Sequence, residues 1–279
     1  MVIDLHTHSV ASDGCHEPEE VVRFAVEAGV THFSLTDHDT VAAVPRAREA
    51  CRAAGIVFYP GCELSVTWYD ITVHVVALDV RDFAPLEEHA ARLSVLREER
   101  ARVIAGKLDA LGFHGTFETA CAKAGHMLNI SRRHFAMALI AMGVVETEDE
   151  AFRRFLGEGR PAFVPGNWQN LAETMRLIED AGALAVLAHP GRYHSRRSRT
   201  IDDLLAEFKS LGGRAIEVTT GSHTEDENRL FAQKARHMRF YASTGSDFHG
   251  GRPGRPMPGR QSPLPENLAN VLELLEAKG

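Results

Sequence analysis

The feature that most restricts the fold is an alternation of short apolar runs with helical stretches. Candidate strands fall at residues 2–5, 32–36, 56–59, 72–78, 183–188, 215–219 and 240–244, mostly separated by helical patterns. Pro18 opens a helix that Gly29 ends. Asp39 stands as the N-cap of a second, which runs to Ala53 and is stopped by Gly55. Strands separated by helices imply a parallel sheet, because each connection must cross back over it. In such folds the chemistry gathers at the carboxyl ends of the strands.

The alternation lapses between residues 85 and about 159, where only helical patterns occur. Leu93, Leu96, Val103, Ile104, Leu108 and Leu111 keep roughly one face there. This divides the chain into a first part of an α/β body (1–84), a mostly helical insert (85–165) and a second part of the body (166–279). The expected closing helix spans residues 265–277.

The strand ends carry one kind of residue. The first runs into Asp4-Leu5-His6-Thr7-His8-Ser9, then Ser12-Asp13-Gly14. His6 and His8 are two apart, so an extended chain sends both from one face. Thr36-Asp37-His38-Asp39 follows the second strand, and Pro60-Gly61-Cys62-Glu63 the third. Ala188-His189-Pro190 and Ser246-Asp247-Phe248-His249 end two later ones. His74, inside a strand, is the exception. Mixed imidazole and carboxylate donors suit manganese, zinc or iron(II), and histidine is the commonest metal ligand. The four cysteines form no CxxC pair, which removes a structural zinc–thiolate site and suits a reducing cytoplasm. No apolar run is long enough to cross a bilayer, and no basic leader precedes the first strand. A net charge of -7 argues against a large DNA-binding surface but leaves room for a local basic pocket.

Together these motifs, from His6-Thr7-His8 to Ser246-Asp247-Phe248-His249, resemble the PHP family of phosphoesterases, named from polymerases and histidinol phosphatases. The resemblance implies a distorted (β/α)7 barrel holding two or three divalent metals, manganese first, with iron(II) or zinc as alternatives. Position by position, it implies a first site of His6, His8, Glu63 and Asp247. A second site would share Glu63 and add His74 and a histidine of the insert. A third would use Asp13, His38 and His249. The insert histidine is His134, whose Arg133 stands where relatives carry proline; His126 is the fallback. His189 and Asp13 are assigned to catalysis, His189 as a proton donor or phosphate contact rather than a ligand. Asp37 and Asp39 are read as caps or supports, and His223 as an ordinary surface or core residue.

Phosphate esters call for cations beyond metals. Arg160, Arg192 and Arg133 are the candidate clamps, since guanidinium binds phosphate bidentately. Arg196-Arg197-Ser198-Arg199 reads as a solvated loop, and Trp68, Tyr69, Trp168 and Tyr193 as candidate stacking partners for a base. Within the family, the motif forms are nearest to stand-alone proteins with a helical insert. These include phosphatases of nucleoside 3',5'-bisphosphates and enzymes that trim short RNA from the 5' end. That implies a small nucleotide or short RNA as substrate and no membrane partner. The alternatives are a histidinol phosphate phosphatase, a C–N-cleaving amidohydrolase and a non-catalytic metal-stabilised scaffold. The amidohydrolase reading would call for a bridging lysine, and none stands at a strand end.

Overall fold

The computed structural model describes residues 1–124, 130–193, 199–251 and 254–277; His126 and residues 196–198 lie outside them. Two compact units divide the chain, Met1–Glu87 with Trp168–Gly279 as a body, and Glu88–Asn167. The helices are α1 (Pro18–Glu27), α2 (Val44–Ala54), α3 (Ala84–Asp109), α4 (Thr116–Ala124), α5 (Arg132–Ala141), α6 (Glu148–Ala151), α7 (Leu171–Asp180), α8 (Ile201–Ser210), α9 (Glu225–Met238) and α10 (Leu272–Glu276). Three body helices begin with capping boxes that the sequence spells out: Asn170 with Glu173, Thr200 with Asp203, and Thr224 with Glu227.

The fold is mixed α/β. Strands β1 (Val2–Asp4), β2 (Val30–Phe33) and β3 (Val57–Phe58) form a parallel sheet in that order. Strands β4 (Gly61–Trp68), β5 (Ile71–Leu78), β6 (Leu184–Leu187), β7 (Ala215–Thr220) and β8 (Tyr241–Gly245) form a second sheet, also in that order. β6, β7 and β8 are parallel, but β5 runs antiparallel to both β4 and β6. The expectation of a wholly parallel sheet is therefore corrected. Gly61-Cys62-Glu63, read as the tail of the third strand, instead open a strand of their own that runs on to Trp68. The chain returns through Tyr69-Asp70, a turn too short to cross a sheet, so the pairing has to be antiparallel.

Two other local expectations change. Asp39 is not an N-cap: α2 starts at Val44, and the Asp39 carboxylate accepts from Ser65 N–H and Oγ–H instead. The closing helix is reduced to the five residues of α10.

Apolar side chains alternate between two cores. On β5 and β6, Val73, Val75, Ala77, Ala185 and Leu187 join a core with α7, α8 and α9. Val76, Leu78, Leu184, Val186 and Ala188 turn the other way, onto Leu5 and the Leu272, Leu274 and Leu275 side chains of α10. Burial on both faces explains why β6 reads Leu-Ala-Val-Leu without a polar residue.

In the second unit, Leu93, Ile104 and Leu108 of α3 are buried, but Leu96, Val103 and Leu111 are 37%, 50% and 42% exposed. The buried line runs Leu93, Arg97, Ala101, Ile104, Ala105, Leu108, a strict i, i+3/i+4 stripe that includes an arginine. A hydropathy reading passes over that arginine and gathers the wrong apolar neighbours.

Candidate active site

Glu63, the third residue of β4, is fully buried at the hub of the body's polar centre. Its Oε2 lies 3.2 Å from His6 Nε2, 3.3 Å from His8 Nε2 and 3.0 Å from His38 Nδ1. Its Oε1 lies 3.0 Å from His74 Nδ1 and 2.9 Å from His189 Nε2. Asp247 Oδ1 is 3.7 Å from His6 Nε2, and 3.5 Å from both His8 Nε2 and His249 Nδ1. Asp13 Oδ1 is 3.2 Å from His249 Nε2 and 3.9 Å from His38 Nε2. Eight body residues named from the sequence, spread from position 6 to 249, thus converge with His189. They fall into three groups whose donor atoms lie within 4.8 Å of one another: His8, Asp13, His38 and His249; His6, Glu63, His189 and Asp247; and His38, Glu63 and His74.

The grouping differs from the family-based one at His8, His38, His134 and His189: His38 also joins Glu63 and His74, and His134 is in none of the groups. His8 faces Asp13, His38 and His249 as well as the first site. His189, assigned to proton donation or phosphate contact, stands among the donors around Glu63.

The electrostatics call for cations. Burial would raise the carboxyl of Glu63, yet His38, His6 and His74 hold it well below the usual range. Asp13 and Asp247 are likewise held low against their burial, in each case chiefly by His249. Burial would lower His8, but Asp247 and Glu63 outweigh it and lift it to about 9, whereas burial pushes His38 down to about 3. Three buried anions demand positive charge, from protons or metal ions alike. Among the described residues Glu63 Oε2, Asp247 Oδ1 and His74 Nδ1 are buried without a hydrogen bond. An unsatisfied buried polar atom costs about 1–3 kcal/mol, and coordination removes that cost. The imidazole–carboxylate set therefore fits divalent metals.

A ring of polar supports aims these donors. Asp37 accepts from Ser9 N–H, Ser9 Oγ–H and Ser12 Oγ–H, fixing the segment between His8 and Asp13. Asp4 accepts from Ser246 N–H and Gly259 N–H, and burial raises its carboxyl to about 6. Gly245 lets β8 lie against β1, where any Cβ would collide with His6 Cβ. Asp39, His189 and Asp247 take left-handed φ values of 51°, 28° and 52°, which turn the chain sharply at the strand ends.

Glu217 was not singled out from the sequence. It is buried in β7, with Oε1 2.6 Å from His6 Nδ1 and Oε2 accepting from His189 N–H at 2.6 Å. Its signal was available: a lone carboxylate in the otherwise uncharged strand Ala-Ile-Glu-Val-Thr-Thr. Such a partner fixes the imidazole tautomer and presents the opposite nitrogen, Nε2, as the donor.

Of the candidate clamps, Arg192 reaches the centre, its Nη1 3.1 Å from Asp247 Oδ2. Arg133, His134 and Arg160 belong to the second unit. Arg133 is buried and paired bidentately with Glu148, His134 Nδ1 accepts from Ser131 N–H, and Arg160 is exposed. Trp68 and Trp168 are buried and Tyr193 is bonded to His74 N–H, so neither tryptophan offers a stacking face; Tyr69 is 52% exposed, with Arg199 over its ring.

A buried Glu63 carboxylate ringed by imidazoles, with Asp13 and Asp247 beside it, is a cluster that could hold divalent metals, and the chain belongs to the PHP family, a hydrolase family. The PHP domain matches residues 4–104. Over 280 residues the chain is 39% identical to a 3',5'-nucleoside bisphosphate phosphatase of Chromobacterium violaceum, covering 99% of this chain and 97% of that one. It is 35% identical over 285 residues to the 5'-3' exoribonuclease Rnm of Escherichia coli, covering 99% and 94%. A solved C. violaceum structure described as an amidohydrolase with bound sulfate and no metal superimposes with a TM-score of 0.93. It has 38% identity and covers 100% of this chain and 97% of that one. Among the described residues no helix is long and apolar enough to cross a membrane.

Proposed function

We propose that this enzyme removes the 3'-phosphate from nucleoside 3',5'-bisphosphates, giving AMP and phosphate from the adenosine compound, and that short RNA trimmed from its 5' end is a second substrate. The observation that carries the phosphoesterase chemistry is the Glu63 hub with five imidazoles within 3.3 Å. The nucleotide assignment rests on the full-length similarity to the bisphosphate phosphatase and the exoribonuclease.

His6, His8, Asp13, His38, Glu63, His74, His189, Asp247 and His249 would hold two or three divalent cations, manganese first. When bound, these supply Lewis acidity: they acidify water and offset phosphoryl charge. Glu63 offers one oxygen to each side of the centre. Glu217 holds His6 with Nε2 turned inward. Arg192, tethered by Asp247 Oδ2, turns guanidinium protons towards a phosphoryl oxygen. Water oxygen adds to phosphorus as the bond to O3' breaks, and O3' takes a proton. Burial, then Arg192, keep His189 well below its usual pKa and therefore neutral. A neutral imidazole donates an electron pair well and a proton poorly, which supports a ligand role for His189 over the proton donor. The roles of His134 as ligand and of Arg133 and Arg160 as clamps rest on the family resemblance alone.

The hydrogen bonds that run between the two sheets are the support for a closed barrel, of seven strands when β3 and β4 are counted as one. Leu5 N–H donates to Thr244 O and Asp247 N–H to His6 O, linking β1 to β8. The extension of β2 pairs with β4 at His38 and Glu63, and β3 leads directly into β4. A cytoplasmic location fits four cysteines scattered through the sequence without a CxxC pair.

The test is phosphate release from adenosine 3',5'-bisphosphate, short 5'-phosphorylated RNAs, AMP and histidinol phosphate, each with Mn(II) and with chelator. Mn-dependent release from the bisphosphate, leaving AMP, is the expected result. Release from histidinol phosphate alone would overturn the nucleotide assignment. The amidohydrolase description of the C. violaceum structure is a second reading, but among the described residues no lysine is buried, as one bridging the centre would have to be.

A further inference from the structure

The turn after β6, His189-Pro190-Gly191-Arg192, carries both a donor of the centre and the arginine that reaches Asp247. Within the turn, Arg192 N–H donates to His189 O, and Pro190 has no N–H. That leaves two amides, of His189 and Gly191, to be held from outside. Glu217 takes the first. His223 takes the second: its Nε2 accepts from Gly191 N–H at 2.9 Å.

His223 is well placed for this. It lies in the loop before α9, with Nδ1 3.3 Å from Val218 O and its ring stacked on Phe231 at a centroid distance of 5.1 Å. Nδ1–H donating to Val218 fixes the tautomer that leaves Nε2 an acceptor. Val218 is the residue skipped in the β7–β8 register, between Glu217 paired with Ser243 and Thr219 paired with Thr244. The bulge thus serves the turn twice, aiming Glu217 at His189 and offering the Val218 carbonyl to His223. Gly191 completes the fit, because a Cβ there would sit 2.8 Å from the ring. Burial lowers the pKa of His223, which keeps Nε2 free to accept.

We propose that His223 is a positioning residue for substrate binding: through Gly191 it sets where Arg192 presents its guanidinium to the substrate phosphate. This rests on the phosphate role of Arg192 given above. An amide side chain can donate and accept at once, as this imidazole does. His223→Gln therefore keeps both bonds, whereas His223→Phe keeps only the stacking.

Steady-state phosphate release from adenosine 3',5'-bisphosphate, with the full chain and Mn(II), separates the outcomes. His223→Phe should raise KM about tenfold with kcat within about threefold of wild type, the signature of lost uniform binding. His223→Gln should restore KM, and Gly191→Ala should mimic His223→Phe, so the test survives if the phenylalanine variant misfolds. In an Arg192→Ala background, where KM is already raised, His223→Phe should add less than about twofold, because the two act through one contact. Unchanged KM in both His223→Phe and Gly191→Ala, with Arg192→Ala impaired, would overturn the positioning role alone. An undiminished His223→Phe effect on top of Arg192→Ala would also overturn it. If Arg192→Ala leaves KM unchanged, the clamp assignment fails and the positioning role falls with it.

Discussion

The parallel strands and the β4–β5 hairpin hold their site residues in different ways. On the parallel strands the donors lie beyond the end of the regular strand: His6 and His8 after β1, His38 after β2, His189 after β6, Asp247 and His249 after β8. There the chain turns through left-handed conformations, and buried carboxylates must brace it. On the hairpin, Glu63 and His74 sit inside the ladder, Glu63 opposite Val76 and His74 opposite Ser65. Backbone hydrogen bonds on both sides do the bracing, and neither residue has a positive φ. The residue that five of the imidazoles share is thus placed on the most regular support, while most of the residues that turn towards it occupy adaptable ends.

The sharpest break in this comparison is at the hub. Glu63→Gln keeps the shape and removes the charge that both halves of the centre use. Phosphate release should fall by at least about 10³-fold, equivalent to about 4 kcal/mol of transition-state stabilisation. Retained activity would mean that the strand-end residues form the centre without the hairpin. A brace on the parallel side should matter less. Glu217→Gln leaves His6 in place with a weaker partner, so Mn(II) affinity measured by calorimetry should drop about 10- to 100-fold. An unchanged affinity would show that His6 needs no brace.

The two aspartates of the second strand end compare the regions by stability. Asp37 fixes the segment after β1, and Asp39 ties the strand end to Ser65 of the hairpin. Each change to alanine strands buried donors and should cost about 1–3 kcal/mol in urea unfolding. Asp37→Ala should be the costlier, since three donors lose their acceptor rather than two. A further test concerns protons. In chelator-treated protein, His8 has its folded pKa raised from 6.5 to about 9. Its contribution is complete below pH 6.5 and is lost as pH rises through 9. The melting temperature should therefore decline between pH 7 and 9.5, by about 2–4 °C per kcal/mol lost, and Mn(II) should flatten the decline by replacing the proton. A melting temperature that rises over this interval would contradict the assignment of charge.

What was legible in the sequence follows the same division. Strand-end donors stood out because a histidine or aspartate after an apolar run, followed by glycine or proline, breaks the local pattern. His6, His8, His38, His189, Asp247 and His249 were all visible in that way. Glu63 was visible as a residue but not in its setting, because Gly61-Cys62-Glu63 looks like a strand leaving the sheet. Glu217 and His223 were passed over, since each touches the centre only through a partner tens of residues away.

The sequence by itself determined seven of the eight strands, where the helices capped by Asn170, Thr200 and Thr224 begin, and which side chains have metal-binding chemistry. These are local matters, settled by periodicity, caps and donor type within a few residues. Only the tertiary structure decided that β5 runs backwards between its neighbours, that Glu63 rather than a strand-end residue is the hub, and that a bulge in β7 holds the turn after β6. Each of these depends on pairing across the chain, and two segments that fit equally well in either direction carry no mark of the direction they take.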